Sequence, residues 1–247
     1  MSIVCSDFHG NKAKLEAFLA HRPDVEHVIA GDFMDSYCAS DADIIETFDR
    51  AVEAGCTLLA GNHELPYLSN AHAYFRCSGN RYTPELFQTV NRYKHLLHGS
   101  IIRDGCLIVH GGLSAKHGKP FATVEEACEW INTEWDWYKN CPVVPETLSS
   151  IFDIGYNRGG YNDVSGPFWC SIGHDNIDKR FPQVVGHTCR ADPLILEEGK
   201  KGHTVRHVGI DSPKYVCYNT ETHELEDFMP EQYKHDDQFR KMLERKF

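Results

Sequence analysis

The stretch IVCSDFHG, residues 3–10, governs the reading of the whole chain. Ile3, Val4 and Cys5 form a short apolar run with the length and branching of a buried strand. The run stops on Asp7, His9 and Gly10, residues that suit a tight turn and leave a carboxylate and an imidazole just past the strand. Leu15, Phe18 and Leu19 then follow at helical spacing. A strand, a polar turn and a helix is the repeating unit of α/β domains.

The unit recurs twice. In residues 27–35, HVIAGDFMD, a strand from His27 to Ala30 is closed by Gly31 and Asp32, with Asp35 three places on. Its helix shows the face Ile44, Ile45, Phe48 and Val52, begins at Ser40 or Asp41 and stops at Gly55. In residues 56–64, CTLLAGNHE, a third strand runs into Asn62, His63 and Glu64. The rhythm then changes. SIIRDGCLIVHGG, residues 100–112, reads as a hairpin about Asp104-Gly105 that ends on His110. From Gln183 onward the runs QVVGH, LILEE, TVRHVGID, KYVCYN and ELEDF predict further strands, and QVV delivers His187.

Between the two strand blocks lies an insertion, near 115–180. It opens with a helix in which Thr123 caps and Glu126 completes a capping box. Val124, Ala127, Cys128, Ile131 and Trp135 share one face of that helix. Pro142 and Pro145 follow, then DIGYNRGGYNDVSGPFWCSIGHD, a Gly- and aromatic-rich segment with loop chemistry and the length of a functional loop. Trp130, Trp135, Trp137 and Trp169 all fall in the insertion, on or after an amphipathic helix, and are expected to pack. A final amphipathic helix carries Phe239, Met242, Leu243 and Phe247. The expected fold is α/β (α+β): two packed, mixed β-sheets flanked by helices, one domain over 1–247 with a cap-like helical and loop insertion.

Composition narrows the possibilities. The 247 residues include 41% hydrophobic and 25% charged, an ordinary balance for a globular protein. No apolar run reaches the length of a membrane span, and the start MSIVCSDFHG lacks the pattern of a secretory signal, so no membrane association is expected. A net charge of -11 disfavours a nucleic-acid polymer as partner, although bound divalent cations can make one cleft attractive to anions. Ten cysteines contain no C-x-x-C pair, and several sit in strand-like runs as small buried hydrophobes. A reducing cytoplasm is the compartment this suggests.

Five predicted strands thus deliver polar, metal-competent side chains at their carboxyl ends, most of them beside a glycine. Ligands of α/β sheets gather at that edge. Each fragment alone is weak; the joint pattern of five turns, each directly after an apolar run, is specific.

DFHG, GDFMD, GNHE, HGG and GHT resemble, in order, the motifs of the calcineurin-like metallophosphoesterases. The likeness is greatest to the branch holding phosphoprotein phosphatases, phage-type phosphatases and diadenosine tetraphosphate hydrolases, and runs from about residue 3 to 188. The resemblance implies the four-layer αββα sandwich of that superfamily. It further implies that Asp7 and His9 bind a first metal, that Asp32 bridges two, and that Asn62, His110 and His187 bind the second. Such a donor set suits Mn²⁺ first, with Fe or Zn²⁺ as alternatives, better than Ca²⁺. Two such ions, roughly 3.5–4 Å apart, can lower the pKa of a bridging water, and the resemblance implies that the resulting hydroxide would attack phosphorus in line. By the same resemblance His63 is the general acid and Asp35 holds its imidazolium.

Two positions depart from the family pattern. Cys189 stands where the wider superfamily has a second histidine, as it does not in the phosphoprotein phosphatase branch. Ser36 stands where that branch has a phosphate-clamping arginine, and a hydroxyl does not replace a planar bidentate donor. Arg158, followed by Gly159 and Gly160 that permit close approach, is the first candidate for that work and Arg190 the second; a solvated surface charge is the alternative for each. The implied function is hydrolysis of phosphate monoesters, with a serine/threonine or dual-specificity protein phosphatase in view. A nucleotide anhydride hydrolase acting on a diadenosine tetraphosphate is the alternative, and a non-catalytic metal-binding scaffold the third reading. The expected partner is a phosphorylated substrate, protein or nucleotide.

Overall fold

The computed structural model describes residues 1–69, 71–200 and 203–231; the helix expected at Phe239 to Phe247 lies outside them. The first sheet is built on the three repeated units. β1 (Ser2–Cys5), β2 (Glu26–Ile29) and β3 (Thr57–Leu59) run parallel, and β4 (Leu97–His98) extends them. Helix α1 (Lys12–Ala20) makes the first crossover, and α2 (Asp41–Glu53) the second. Ser40 caps α2 in a reciprocal capping box with Asp43, which resolves the start left open between Ser40 and Asp41.

Helix α3 (Pro84–Tyr93) makes a third crossover, between β3 and β4. Its signals are Pro84 in the first turn and Leu86, Thr89 and Val90 on its buried side. After β4 the chain passes to the second sheet through the hairpin β5 (Ser100–Arg103) and β6 (Cys106–Val109).

Between β6 and β7 (Gln183–Val185) lie α4 (Ala115–Gly118), α5 (Val124–Asn140) and short 3-10 turns. Thr123 caps α5 as expected, but Glu126 reaches past it to the Ala122 N–H at 2.7 Å. The buried face of α5 is Ala127, Ile131, Trp135 and Tyr138, with Val124 and Cys128 at its half-buried margin. Trp135 and Trp169 are packed and Trp130 is half-buried, whereas Trp137 is 49% exposed because it lies on the opposite side of α5. The strands β8 (Leu194–Lys200) and β9 (His203–Gly209) complete the second sheet, in the order β5-β6-β7-β9-β8. β10 (Val216–Asn219) and β11 (Glu224–Asp227) return to the first, in the order β11-β10-β1-β2-β3-β4.

Side-chain alternation explains the layering. Val4, Val28, Ala30 and Leu59 of the first sheet meet Cys106, Ile108, Val184 and Val208 of the second in one apolar cluster. Their sequence neighbours Ile3, Cys5, Ile29, Leu58, Leu107, Val109 and Val185 point the other way, into the layer that includes the helices. Each strand therefore has two apolar faces, which is why these runs read as continuous rather than alternating. The result is two mixed sheets with flanking helices, and the carboxyl ends of β1, β2, β3, β6 and β7 share one edge.

Candidate functional site

The loops at that edge are tied to each other before any ligand is considered. Asp7 N–H donates to Gly31 C=O and His9 N–H to Asp32 C=O, both at 3.1 Å, so the turns after β1 and β2 run together. Asp7, His9, Asp32, Asp35 and His187 all adopt left-handed backbone, with φ between 45 and 65°. Non-glycine residues rarely hold that conformation, and its clustering here marks strain concentrated at a site. The glycines give the approach: a Cβ on Gly61 would stand 2.1 Å from Asp32 Oδ1, and one on Gly186 2.4 Å from Asp7 Oδ2.

Glu64, quoted in GNHE without a role, proves central to this edge. It is fully buried, and its carboxylate accepts from the backbone N–H groups of Asp32 (3.1 Å), Phe33 (2.9 Å), Met34 (3.0 Å) and Gly61 (2.6 Å). One side chain thus splints the turns after β2 and β3.

Asp7, His9, Asp32, Asn62, His110 and His187 converge across the seam between the sheets. Asp32 Oδ2 lies 3.2 Å from His110 Nε2 and 3.8 Å from His9 Nε2. His110 Nε2 also sits 2.8 Å from Asn62 Oδ1, and the His187 N–H reaches the Asp7 carboxylate at 3.2 Å. Asp32 belongs to two donor groups, one with His9 and His63 and one with His110 and His187.

The residues fit divalent cations on several counts. His110 Nδ1 bonds the Ala30 carbonyl (2.8 Å) and His9 Nδ1 the Met34 carbonyl (2.7 Å), an arrangement that leaves each Nε2 for a ligand bond. His187 Nε2 is buried with no partner among the described residues. Burial first and then the nearby Asp32 carboxylate push the Asp7 carboxyl up, the frustration a bound cation relieves. Burial and then His110 hold His187 well below the usual imidazole range, in the neutral form that binds metals.

His63 lines the same cleft with a different anchorage. Its Nδ1 lies 2.9 Å from Asp35 Oδ2, and the Tyr67 hydroxyl donates to the other Asp35 oxygen. Burial opposes the charged imidazolium, but Asp32 and Asp35 outweigh it and push His63 up to about 9.

The cleft has a volume of about 620 Å³. Arg158 lines it, and is positioned by donating to Ser171 Oγ (2.6 Å) and Thr188 Oγ1 (3.1 Å). Arg190 is not among the lining residues; its guanidinium turns to the Ile172 carbonyl at 3.3 Å and rests against Gly173. Ser36 is not among them either: its hydroxyl accepts from the Cys38 and Ala39 N–H groups at 3.2 and 3.0 Å, and it lines an adjoining pocket with Asp7, His9 and His63. The sequence reading missed Arg76, Cys77, His174 and Asp211, which also line the cleft. Asp211 was within reach, since it follows β9 as the other donors follow their strands. Burial first, and Asp7 next, push its carboxyl well up. Arg76 had no such signal.

A two-sheet sandwich that gathers carboxylates, an amide and imidazoles at one strand edge is the frame of a metal-assisted hydrolase. The chain belongs to the calcineurin-like phosphoesterase family, whose profile it matches over residues 2–189. Over 128 residues it is 30% identical to the serine/threonine-protein phosphatase 6 catalytic subunit of Drosophila melanogaster, covering 45% of this chain and 39% of that one. The serine/threonine-protein phosphatase 4 catalytic subunit of Candida glabrata is 30% identical over 124 residues, 45% of this chain and 38% of that one. The chain therefore spans about two-fifths of the length of these curated relatives. Among solved structures, a cold-active protein-tyrosine phosphatase of a psychrophilic Shewanella species shares the fold at 16% identity and a TM-score of 0.53, over 92% of this chain and 80% of that one. A further structure of a cold-active protein tyrosine phosphatase gives 17% identity and a TM-score of 0.54, over 91% and 77%. Among the described residues no helix is long and apolar enough to cross a membrane, and all ten cysteines are free.

Proposed function

We propose that this chain hydrolyses phosphate monoesters as a dinuclear metal-dependent phosphatase acting on phosphorylated protein. The observation that carries the reading is the sharing of Asp32 between two donor groups, in one of which His63 is also held by Asp35. Asp7 and His9 would hold one ion, Asn62, His110 and His187 the other, and Asp32 both. Mn²⁺ is the first choice by donor chemistry, with Fe or Zn²⁺ next. Such ions, when bound, supply Lewis acidity toward phosphoryl oxygens and acidify water.

The chain's own residues do the rest. Asp35 fixes His63 through Nδ1, so that Nε2 is the atom left to hold a proton for the leaving oxygen. Arg158, preset by Ser171 and Thr188, offers guanidinium N–H groups to a phosphoryl oxygen. The strained, glycine-cradled turns fix the donors in advance, and the Ser36 hydroxyl, already accepting from the Cys38 and Ala39 N–H groups, leaves the anion to other groups. The free thiols agree with a cytoplasmic setting.

The test compares turnover of p-nitrophenyl phosphate, a phosphopeptide and diadenosine tetraphosphate by Mn²⁺-loaded protein. Monoester turnover that Asp32→Asn abolishes, and that His63→Asn lowers in kcat with metal content intact, supports the proposal. Preference for the dinucleotide would move the function to anhydride hydrolysis, the alternative that the absent arginine at position 36 keeps in view. Release of no phosphate from any ester or anhydride would leave a metal-binding scaffold.

A further inference from the structure

The departure at Ser36 raises the question of what meets a phosphoryl group on that side of the cleft. The segment 75–79 supplies an answer. Phe75 is buried, stacked on Trp169 with centroids 6.4 Å apart, and Cys77 is buried against the turn after β3. There the Cys77 thiol donates to the Asn62 carbonyl at 3.3 Å, and the Asn62 amide donates back to Sγ at 3.4 Å. Two residues on, Gly79 accepts the Ser36 N–H at 3.3 Å, in a left-handed turn whose missing Cβ would stand 3.0 Å from the Ser36 backbone. The segment is thus fastened to the Asn62 turn at one point and to the Ser36 turn at another. Arg76, between two inward-facing side chains, is exposed and lines the same cleft as Arg158, Asp7, His9, Asn62 and His63.

Among the described arginines, Arg76 also differs from the others in its partners. Arg22, Arg50, Arg81, Arg92, Arg103, Arg180 and Arg206 are each ion-paired to a carboxylate. Arg158 and Arg190 donate to neutral oxygens. Arg76 makes no hydrogen bond or ion pair among the described residues. A guanidinium held on the wall of a cleft, by a segment anchored on both sides of it, is a docking group for a planar set of anionic oxygens.

We propose that Arg76 binds the phosphoryl group of the substrate, filling from a different loop the place on the cleft wall that Ser36 leaves without a cation. The assignment rests on the phosphatase reading for its substrate class, the dianionic terminal phosphate of a monoester. Its chemistry is oxyanion binding, so it can be measured without turnover.

The experiment titrates orthophosphate into Mn²⁺-loaded protein by calorimetry, and measures KM and kcat for p-nitrophenyl phosphate alongside. Arg76→Ala is expected to weaken orthophosphate binding by about tenfold to a hundredfold, the range for loss of charge-assisted hydrogen bonds. KM should rise more than kcat falls, and Arg76→Lys should recover part of the loss. Arg92→Ala removes an exposed charge away from the cleft and should change neither value. Equal phosphate affinity in wild type and Arg76→Ala, or an equal loss in Arg92→Ala, would overturn the assignment. Weakened binding in Arg76→Ala, in a protein that cleaves no ester, would uphold Arg76 as an anion site and overturn the phosphatase reading. A wild-type protein that binds no orthophosphate would overturn the Arg76 assignment, while its turnover of p-nitrophenyl phosphate would still decide the phosphatase reading.

Discussion

Asp35 Oδ2 lies 2.9 Å from His63 Nδ1, and its second oxygen takes the Tyr67 hydroxyl. The carboxylate is thereby fixed at both ends and aims the imidazole at the cleft. Asp35→Asn should lower kcat by about 10- to 100-fold, the usual cost of removing an orienting carboxylate behind a functional histidine. Tyr67→Phe should cost less, because the Asp35–His63 contact survives. Metal content by elemental analysis should stay at the wild-type value in both. If Asp35→Asn loses metal in proportion to activity, Asp35 supports the centre and not the histidine.

Gly61 has no room for a side chain. A Cβ there would collide with Asp32 Oδ1 and, at 2.6 Å, with Asp32 N. Gly61→Ala should therefore displace the shared carboxylate and reduce Mn²⁺ binding, read by calorimetry. Gly55 is the control: its φ is also positive, at 72°, but a Cβ there meets nothing within 4 Å. Gly55→Ala should cost about 1 kcal/mol of stability through backbone strain alone and leave metal affinity unchanged.

The four N–H groups on Glu64 make it a stability determinant. In Glu64→Gln, one end of the side chain becomes an amide that cannot accept from them. Buried donors left unpaired cost about 1–3 kcal/mol each, so a loss of about 2–4 kcal/mol is expected in urea denaturation. A loss under 1 kcal/mol would show that the turns are held by their backbone contacts instead.

Glu26 gives a pH signature away from the site. Its carboxylate accepts from Arg103 at 2.7 Å through both oxygens, and from Ser2 and Thr57, with Arg103 the largest influence in holding it down to about 2. Because the folded-state value is depressed, the stabilisation is complete above the ordinary 4.5 and fades as pH falls toward about 2. Wild type should exceed Glu26→Gln in stability at pH 6, and the gap should narrow steadily below about pH 4.5. A gap that is constant with pH would assign the effect to packing.

What the sequence alone reveals follows a physical division. Asp7, Asp32, Asn62, His110 and His187 each come directly after an apolar strand, so a local pattern places them at one sheet edge. The hairpin at Asp104-Gly105 and the caps at Ser40 and Thr123 are equally local, and are found in the fold. Arg76 and Cys77 reach the cleft only because Phe75 packs on Trp169 and Gly79 on Ser36, contacts that no short window contains. Trp137 shows the same limit from the other side. It sits two places from the buried Trp135, yet helical geometry turns it to solvent. Helix α3 was legible in principle from Pro84 and the spacing of Leu86, Thr89 and Val90, but its surroundings offered no repeated motif to draw attention there.

The first strand of the chain has one of the last as its neighbour. β1 lies between β2 and β10, with Ile3 opposite Asn219 and Val4 opposite Tyr218, and the Ser2 N–H donates to Thr220 across 218 positions of sequence. On a ribosome adding about 5–20 residues per second, β1 would wait roughly 10–40 s after its own synthesis for that partner to be made. Throughout that interval one of its edges is open to other chains, and an open edge is a template for association. The nascent protein is therefore at its most vulnerable while the turn carrying Asp7 and His9 already exists, and a chaperone that shields the first thirty or so residues would act where the risk is greatest.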